Sequence, residues 1–212
     1  MLTEAVTAEV TPETTEVVAA APEWIEEQAN GVEIGMWKPV GWSLDSSVGL
    51  TLMEHSPSVR GGGSPENGII INIFSPNLEH MELPEAPEDA NQALWLMEYV
   101  VSTPGIISPS SVASAPQEFT WNGHDAAFYL LAGAHYKRAI VICVVLEPGR
   151  IVGINIAMPH QMVDETRVLI PQLFNDFTAG GVQLGSDDLA MLPDPLIFPE
   201  RNAEATPEQH GG

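Results

Sequence analysis

The chain has 212 residues, 44% of them hydrophobic, and sets 29 Asp and Glu against 7 Lys and Arg for a net charge of −22. That length allows one domain with tails, large enough to bury about 70% of its unfolded surface without disulfides or metals. The charge excludes binding to nucleic acid or an anionic lipid surface through a basic patch, because an acidic surface repels both.

Residues 1–22, MLTEAVTAEVTPETTEVVAAAP, contain no glycine, no aromatic residue and no steady apolar period. Such a composition cannot offset the entropy of ordering a chain, so a flexible acidic arm is expected, assigned to residues 1–30. The arm is similar in composition to the spacer that follows a cleaved export signal or lipid anchor. No basic-then-apolar signal peptide and no run of about 18 apolar residues is present. An extracytoplasmic or envelope-associated protein whose signal lies outside this sequence is the expectation, and a cytoplasmic one is the alternative.

A single domain is expected over residues 31–185. GVEIGMW opens it as an extended run. MWKPVGWSL follows, placing Trp37 and Trp42 on either side of Lys38-Pro39-Val40-Gly41. Pro39 fixes its own φ and Gly41 tolerates positive φ, so a turn at 38–41 that pairs two strands is predicted. The two indoles then read as a hydrophobic plug at a sheet edge rather than a ligand platform, since the sequence puts nothing polar and convergent beside them. VGLTLMEH alternates as a strand. SVRGGGSPENG is a hairpin connection and not a phosphate loop, because no Lys-Ser or Lys-Thr follows Arg60 and its glycines. NGIIINIFSP is a strong strand closed by Pro76.

The loop NLEHMELPEAPEDAN gathers Glu79, His80, Glu82, Glu85, Glu88 and Asp89. Glu79, His80, Glu82 and Glu85 are weak candidates for a metal, having hard oxygen ligands and one imidazole but no recognised ligand spacing. A solvated acidic loop leading into a helix N-terminus accounts for them better, because acids are favourable there. In EDANQALWLMEYVV, Ala90, Ala93, Leu94, Met97 and Val101 share one helical face, which predicts a helix over 89–102 with Asp89 as N-cap. PQEFTWNGHDAAFYLLAG predicts a hairpin turning at Asn122-Gly123. KRAIVICVVLEPGRIVGINIAMP predicts a second, turning at Glu147–Arg150, with strands apolar on both faces and therefore covered on both sides. Its Cys143, the one cysteine, reads as a small buried hydrophobe. DETRVLIPQLFNDFTAGG predicts a helix over 163–178, kinked or restarted by Pro171 and stopped by Gly180-Gly181. Residues 186–212, rich in Pro and closing in Gly-Gly, read as an irregular acidic arm whose LPDPLIFP patch can pack on the domain. The order of elements is that of an α+β fold, a mostly antiparallel sheet flanked by helices.

A strand, then Pro39-Val40-Gly41-Trp42, then a further strand resembles the opening of the PsbP-like superfamily, named for the extrinsic subunit of photosystem II. The resemblance extends, as element order, through the strand at Ile69–Phe74, the helix near 89–102, the turn at Trp121–Asp125, the hairpin at 137–158 and the closing helix. It implies an α/β/α sandwich and an extracytoplasmic accessory or assembly role, often without catalysis. The metal-linked residues of the plant subunit have no counterpart placed in this chain.

Chemistry has little local support. His124, His135 and His160 have no HxxxH or HExxH partner, and the serines of SPSSVAS lack a nucleophile elbow. The expectation is a non-catalytic accessory, assembly or binding module with no cofactor and no membrane span. It would dock a protein partner with a basic surface through Glu79, Glu82, Glu85, Glu88 and Asp89. The alternative is a small-molecule or metal-binding domain, or a divergent enzyme, with a pocket between sheet and helix.

Overall fold

The computed structural model describes residues 21–47, 49–54, 68–76, 86–133, 137–147 and 150–200. Strands β1 (Glu23–Ala29) and β2 (Val32–Lys38) come first, followed by β3 (Ser43–Asp45), β4 (Leu50–Met53) and β5 (Ile70–Phe74). Helix α1 spans Gln92–Ser102. Strands β6 (Val112–Ala113), β7 (Gln117–Trp121), β8 (His124–Ala132), β9 (Lys137–Glu147) and β10 (Arg150–Pro159) follow it. A 3-10 turn at His160–Met162 leads into α2 (Val163–Leu173), and the short strands β11 (Thr178–Ala179) and β12 (Val182–Gln183) close the domain before a 3-10 turn at Asp187–Met191.

All pairings between these strands are antiparallel, in two sheets. The larger has the order β3-β4-β5-β10-β9-β8-β6, with β7 also paired to β8; the smaller has the order β1-β2-β11-β12. This is the α+β class expected from the sequence. One flank of the large sheet carries α1. The opposite flank carries α2 together with the small sheet, so that layer is not helical alone.

The two faces of the large sheet follow from the period of two along each strand. On β9, Ile140, Ile142, Val144 and Leu146 join the main core, while Cys143 and Val145 point to the other side beneath α1. On β8, Phe128 and Leu130 face the main core, and Ala127 and Tyr129 face α1. The main core extends to Ile34 and Met36 of β2 and to Ile170 and Leu173 of α2. Cover on both sides is why β8, β9 and β10 read as continuous apolar runs rather than alternating ones.

An aromatic cluster locks the second layer to the sheet. Trp121 is fully buried, and its indole N–H donates to the Gly185 carbonyl at 2.8 Å. Its ring lies 5.7 Å from Phe177 and 6.0 Å from Phe174, which sit 5.0 Å from each other. The neighbouring backbone N–H of Asn122 donates to Asp188 Oδ2 at 2.7 Å, tying the hairpin tip to the segment after β12.

Several expectations need correction. The boundary at residue 31 cuts through the β1–β2 hairpin. Glu23–Ala29 is a strand, and its turn residues Asn30 and Gly31 take φ of 50° and 81°, as Asn122 and Gly123 do at 46° and 81°. The LPDPLIFP patch packs on the domain as expected, through Leu192 and Leu196, but the predicted C-terminal arm begins too early, because Leu189 before the patch is buried in the main core as well. Helix α1 starts at Gln92, and its N-cap is Asn91, whose Oδ1 accepts from Leu94 N–H at 2.9 Å. Asp89 loses that role because the chain first turns at 88–90; Asp125 instead accepts from the Gln92 N–H at 2.9 Å. Helix α2 runs through Pro171 but ends at Leu173, since proline removes a donor from its last turn. Gly180-Gly181 is not a helix stop but the positive-φ turn of the β11–β12 hairpin. Residues 1–20, 48, 55–67, 77–85, 134–136, 148–149 and 201–212 lie outside the described residues. Most of the predicted N-terminal arm, the Arg60 loop, the tip of the β9–β10 hairpin and His135 fall there.

Replacing Trp121 by Ala removes the hub of the aromatic cluster and one buried hydrogen bond. We expect it to lower unfolding free energy by about 3–5 kcal/mol in urea titration; a loss under 1 kcal/mol would show that the cluster does not hold the layers together. Cys143 is buried, and burial pushes its thiol up to about 12. Its labelling by a charged thiol reagent at pH 8 should therefore wait on opening of the structure and accelerate sharply in denaturant, whereas rapid native-state labelling would contradict its placement.

Candidate functional site

The Pro39–Trp42 turn forms one residue later than expected, closed by a bond from Trp42 N–H to the Pro39 carbonyl at 3.2 Å, with Gly41 at φ 81°. It does not pair two strands. It carries the chain from the small sheet, which ends in β2, to the large one, which begins with β3. Trp42 is half-buried against the main core. The partner of Trp37 is Trp24, which the sequence reading did not connect to it: the two are directly opposite across β1 and β2, edge to face, with centroids 5.4 Å apart. Gly35, on the same strand, leaves the space that the Trp24 ring fills; a Cβ there would lie 2.6 Å from the indole.

Polar groups do converge on Trp37, contrary to the sequence reading. Its N–H donates to Asp176 Oδ2 at 2.8 Å, and Asn175 Nδ2 donates to the same oxygen at 3.1 Å. Trp37, Pro171, Gln172, Asn175 and Ser186 line an open cleft of about 650 Å³. Asn175 and Ser186 also border a polar hollow of about 480 Å³ whose other walls include Asn122, Gln183, Asp187 and Asp188. The two hollows share Asn175 and Ser186 and together make a groove with one aromatic wall and several amides and carboxylates. Short local signals hide it because its members come from β2, the end of α2 and the segment after β12.

The acidic candidates are only partly placed. Glu88 and Asp89 are exposed, in the turn before α1. Glu79, His80, Glu82 and Glu85 lie outside the described residues. Among the described residues, no cluster of three or more His, Cys, Asp or Glu is arranged to hold a metal ion. His160 is exposed, and His124 is half-buried at the start of β8. No helix among the described residues is long and apolar enough to cross a membrane.

The described acids far outnumber the bases, and only Glu23 and Glu147 among them form ion pairs, with Lys38 at 3.0 Å and Arg150 at 3.1 Å. The other bases largely serve the fold. Arg167 donates to the carbonyls of Leu192 and Pro193 at 2.9 and 3.1 Å, holding the C-terminal segment against α2. Arg138 lies 5.7 Å over the Phe198 ring. Asp45 is held below the usual carboxylate range by the Ser47 N–H at 2.9 Å and the Ser47 hydroxyl, so it stays ionised.

Fold and groove together define a small antiparallel α+β protein with an acidic, aromatic-walled surface. No protein-family model matches the chain, and no curated protein matches it. Among solved structures it is similar to the solution structure of cyanobacterial PsbP (CyanoP) from Synechocystis sp. PCC 6803, at 9% identity and a TM-score of 0.43, over 79% of this chain and 97% of that one. The likeness assigns no family, activity or partner.

Trp37→Phe keeps an aromatic edge for Trp24 and removes the donor to Asp176. The expected loss is about 1 kcal/mol of unfolding free energy, read by urea titration; an unchanged midpoint would show that the bond has no net value.

Proposed function

We propose that this protein is a non-catalytic accessory or assembly module that docks a protein partner with a basic surface. The observation that carries the reading is the electrostatic one: a net charge of −22, with only two ion pairs among the described residues, leaves most of the described surface carboxylates without a basic partner. Such a field steers a basic partner over distances of a Debye length, about 8 Å at physiological ionic strength, and mainly raises the association rate. We assign first contact to the acidic loop, Glu79, Glu82, Glu85, Glu88 and Asp89, with the N-terminal residues Glu4, Glu9, Glu13 and Glu16 extending the charge. The groove beside Trp37 offers surface that such a partner can bury, and buried contacts set lifetime. The PsbP-like resemblance of the sequence points the same way, toward an extracytoplasmic, envelope-associated complex.

The test is to recover a partner from the native membrane fraction with the full chain and follow its rebinding by stopped flow. Replacing Glu79, Glu82 and Glu85 together by Gln should slow association by about tenfold at low salt while changing release little, and the difference should vanish at high salt. Equal association rates for the two proteins would remove the loop from the interface. Turnover of a substrate, abolished by a point mutation that leaves the fold intact, would replace docking with enzymology.

A further inference from the structure

Sheet edges that stay open invite another strand, and proteins protect them by keeping them short, by placing Lys, Pro or a bulge on them, or by covering them. In the large sheet β3 has three residues and β6 two. β7 is crossed at its end by the segment after β12, which accepts the Trp121 indole N–H at Gly185 and the Asn122 N–H at Asp188. In the small sheet β12 has two residues. β1 is different. It has seven residues, pairs with β2 from Glu23↔Lys38 to Ala29↔Val32 without a bulge, and contains no proline and no Lys or Arg. Among the described residues no strand pairs with its other side.

The two-residue turn at Asn30-Gly31 makes Ala29 and Val32 a hydrogen-bonded pair, and such pairs then alternate along the ladder. Glu27, Ile25 and Glu23 therefore direct their backbone groups to β2. The N–H and C=O of Trp24, Glu26 and Gln28 point to the open edge, where they meet no backbone partner among the described residues. The same three side chains share the outer face of the strand, while Ile25 and Ala29 are buried on the inner one.

Charge selects what this edge accepts. β1 carries Glu23, Glu26 and Glu27, and among the described residues only Glu23 has an ion pair, with Lys38. Glu26 is exposed, and its carboxylate is fixed over the strand by the Trp24 indole N–H at 2.9 Å. A second copy of β1 laid antiparallel would set Glu26 against Glu26, and like charges directly opposite destabilise a sheet. A strand with a cation at that position is attracted instead.

We propose that β1 is a docking edge that accepts an extended basic segment of a protein partner as an added antiparallel strand, with Lys or Arg opposite Glu26 on the outer face and β-branched residues on the inner face. The inference rests on the docking reading for the sign of the partner's charge and adds the form in which the partner is held. Residues of the added strand that lie opposite Trp24, Glu26 and Gln28 exchange both backbone bonds with them, so the basic residues are the ones whose N–H groups face β1.

The probe is a seven-residue peptide alternating Lys and Val, capped at both ends. Titrated into the full chain at low salt, it should shift the amide resonances of Trp24, Glu26 and Gln28 saturably, and a peptide alternating Glu and Val should not. N-methylation of the Lys amides should abolish binding, whereas N-methylation of the Val amides should leave it in place. Glu26→Gln should weaken binding about threefold. Gln28→Pro removes an outward N–H without touching the β1–β2 ladder and should weaken binding in a chain that still folds. Absence of saturable shifts in β1, or equal effects of the two methylations, would overturn strand addition; the stopped-flow comparison of the acidic loop would then decide docking by itself. Self-association of the chain through β1 at low salt would overturn the selection by charge.

Discussion

Burial of β8, β9 and β10 on both faces is the constraint on which the rest of the structure depends. A strand covered on one side can satisfy its apolar residues with a single partner layer. These strands require two, and the chain supplies two unequal ones. The heavy side gathers residues from the small sheet, α2 and the C-terminal segment around Trp121, Phe174 and Phe177. Among the described residues the light side has α1, with Ala93 and Met97 as its buried residues, and Ile107 beside it. Stability is therefore concentrated on one face of the sheet.

The sequence made the central strands legible because their apolar runs are long and their turn at Asn122-Gly123 is unambiguous. The same dipeptide at Asn30-Gly31 carried an equally good signal for β1–β2. Its upstream strand, EWIEEQA, is too acidic to look buried, and only Ile25 and Ala29 of it are. Gly180-Gly181 was ambiguous in a different way: a glycine pair after a helical period serves as a stop or as a hairpin turn, and the pairing of β11 with β2 decides between them. Tertiary pairing of that kind leaves no local trace.

The candidate sites were less legible than the fold. The Trp37 groove assembles from β2, α2 and the segment after β12, and its polar members are ordinary surface amides until the fold brings them together. The open edge of β1 depends on which strands pair and which do not, a relation that exists only once the sheet order is known. The acidic loop could be read directly, but as charge and not as geometry. Charge of that kind supports a statement about steering and partner class; geometry supports statements about what is held.

The division of the sheet into a heavy and a light face is the central claim, and native-state hydrogen exchange in low denaturant tests it most directly. Backbone amides of Ile140–Val145 and Val152–Ile156 should exchange only through global unfolding, with the full unfolding free energy and denaturant dependence. Amides of Trp95–Val101 in α1 should exchange through a smaller opening that exposes less surface and has a distinctly lower free energy. Exchange of α1 and the central strands along one common isotherm would contradict the account, because it would mean that the lighter layer cannot open without the sheet beneath it.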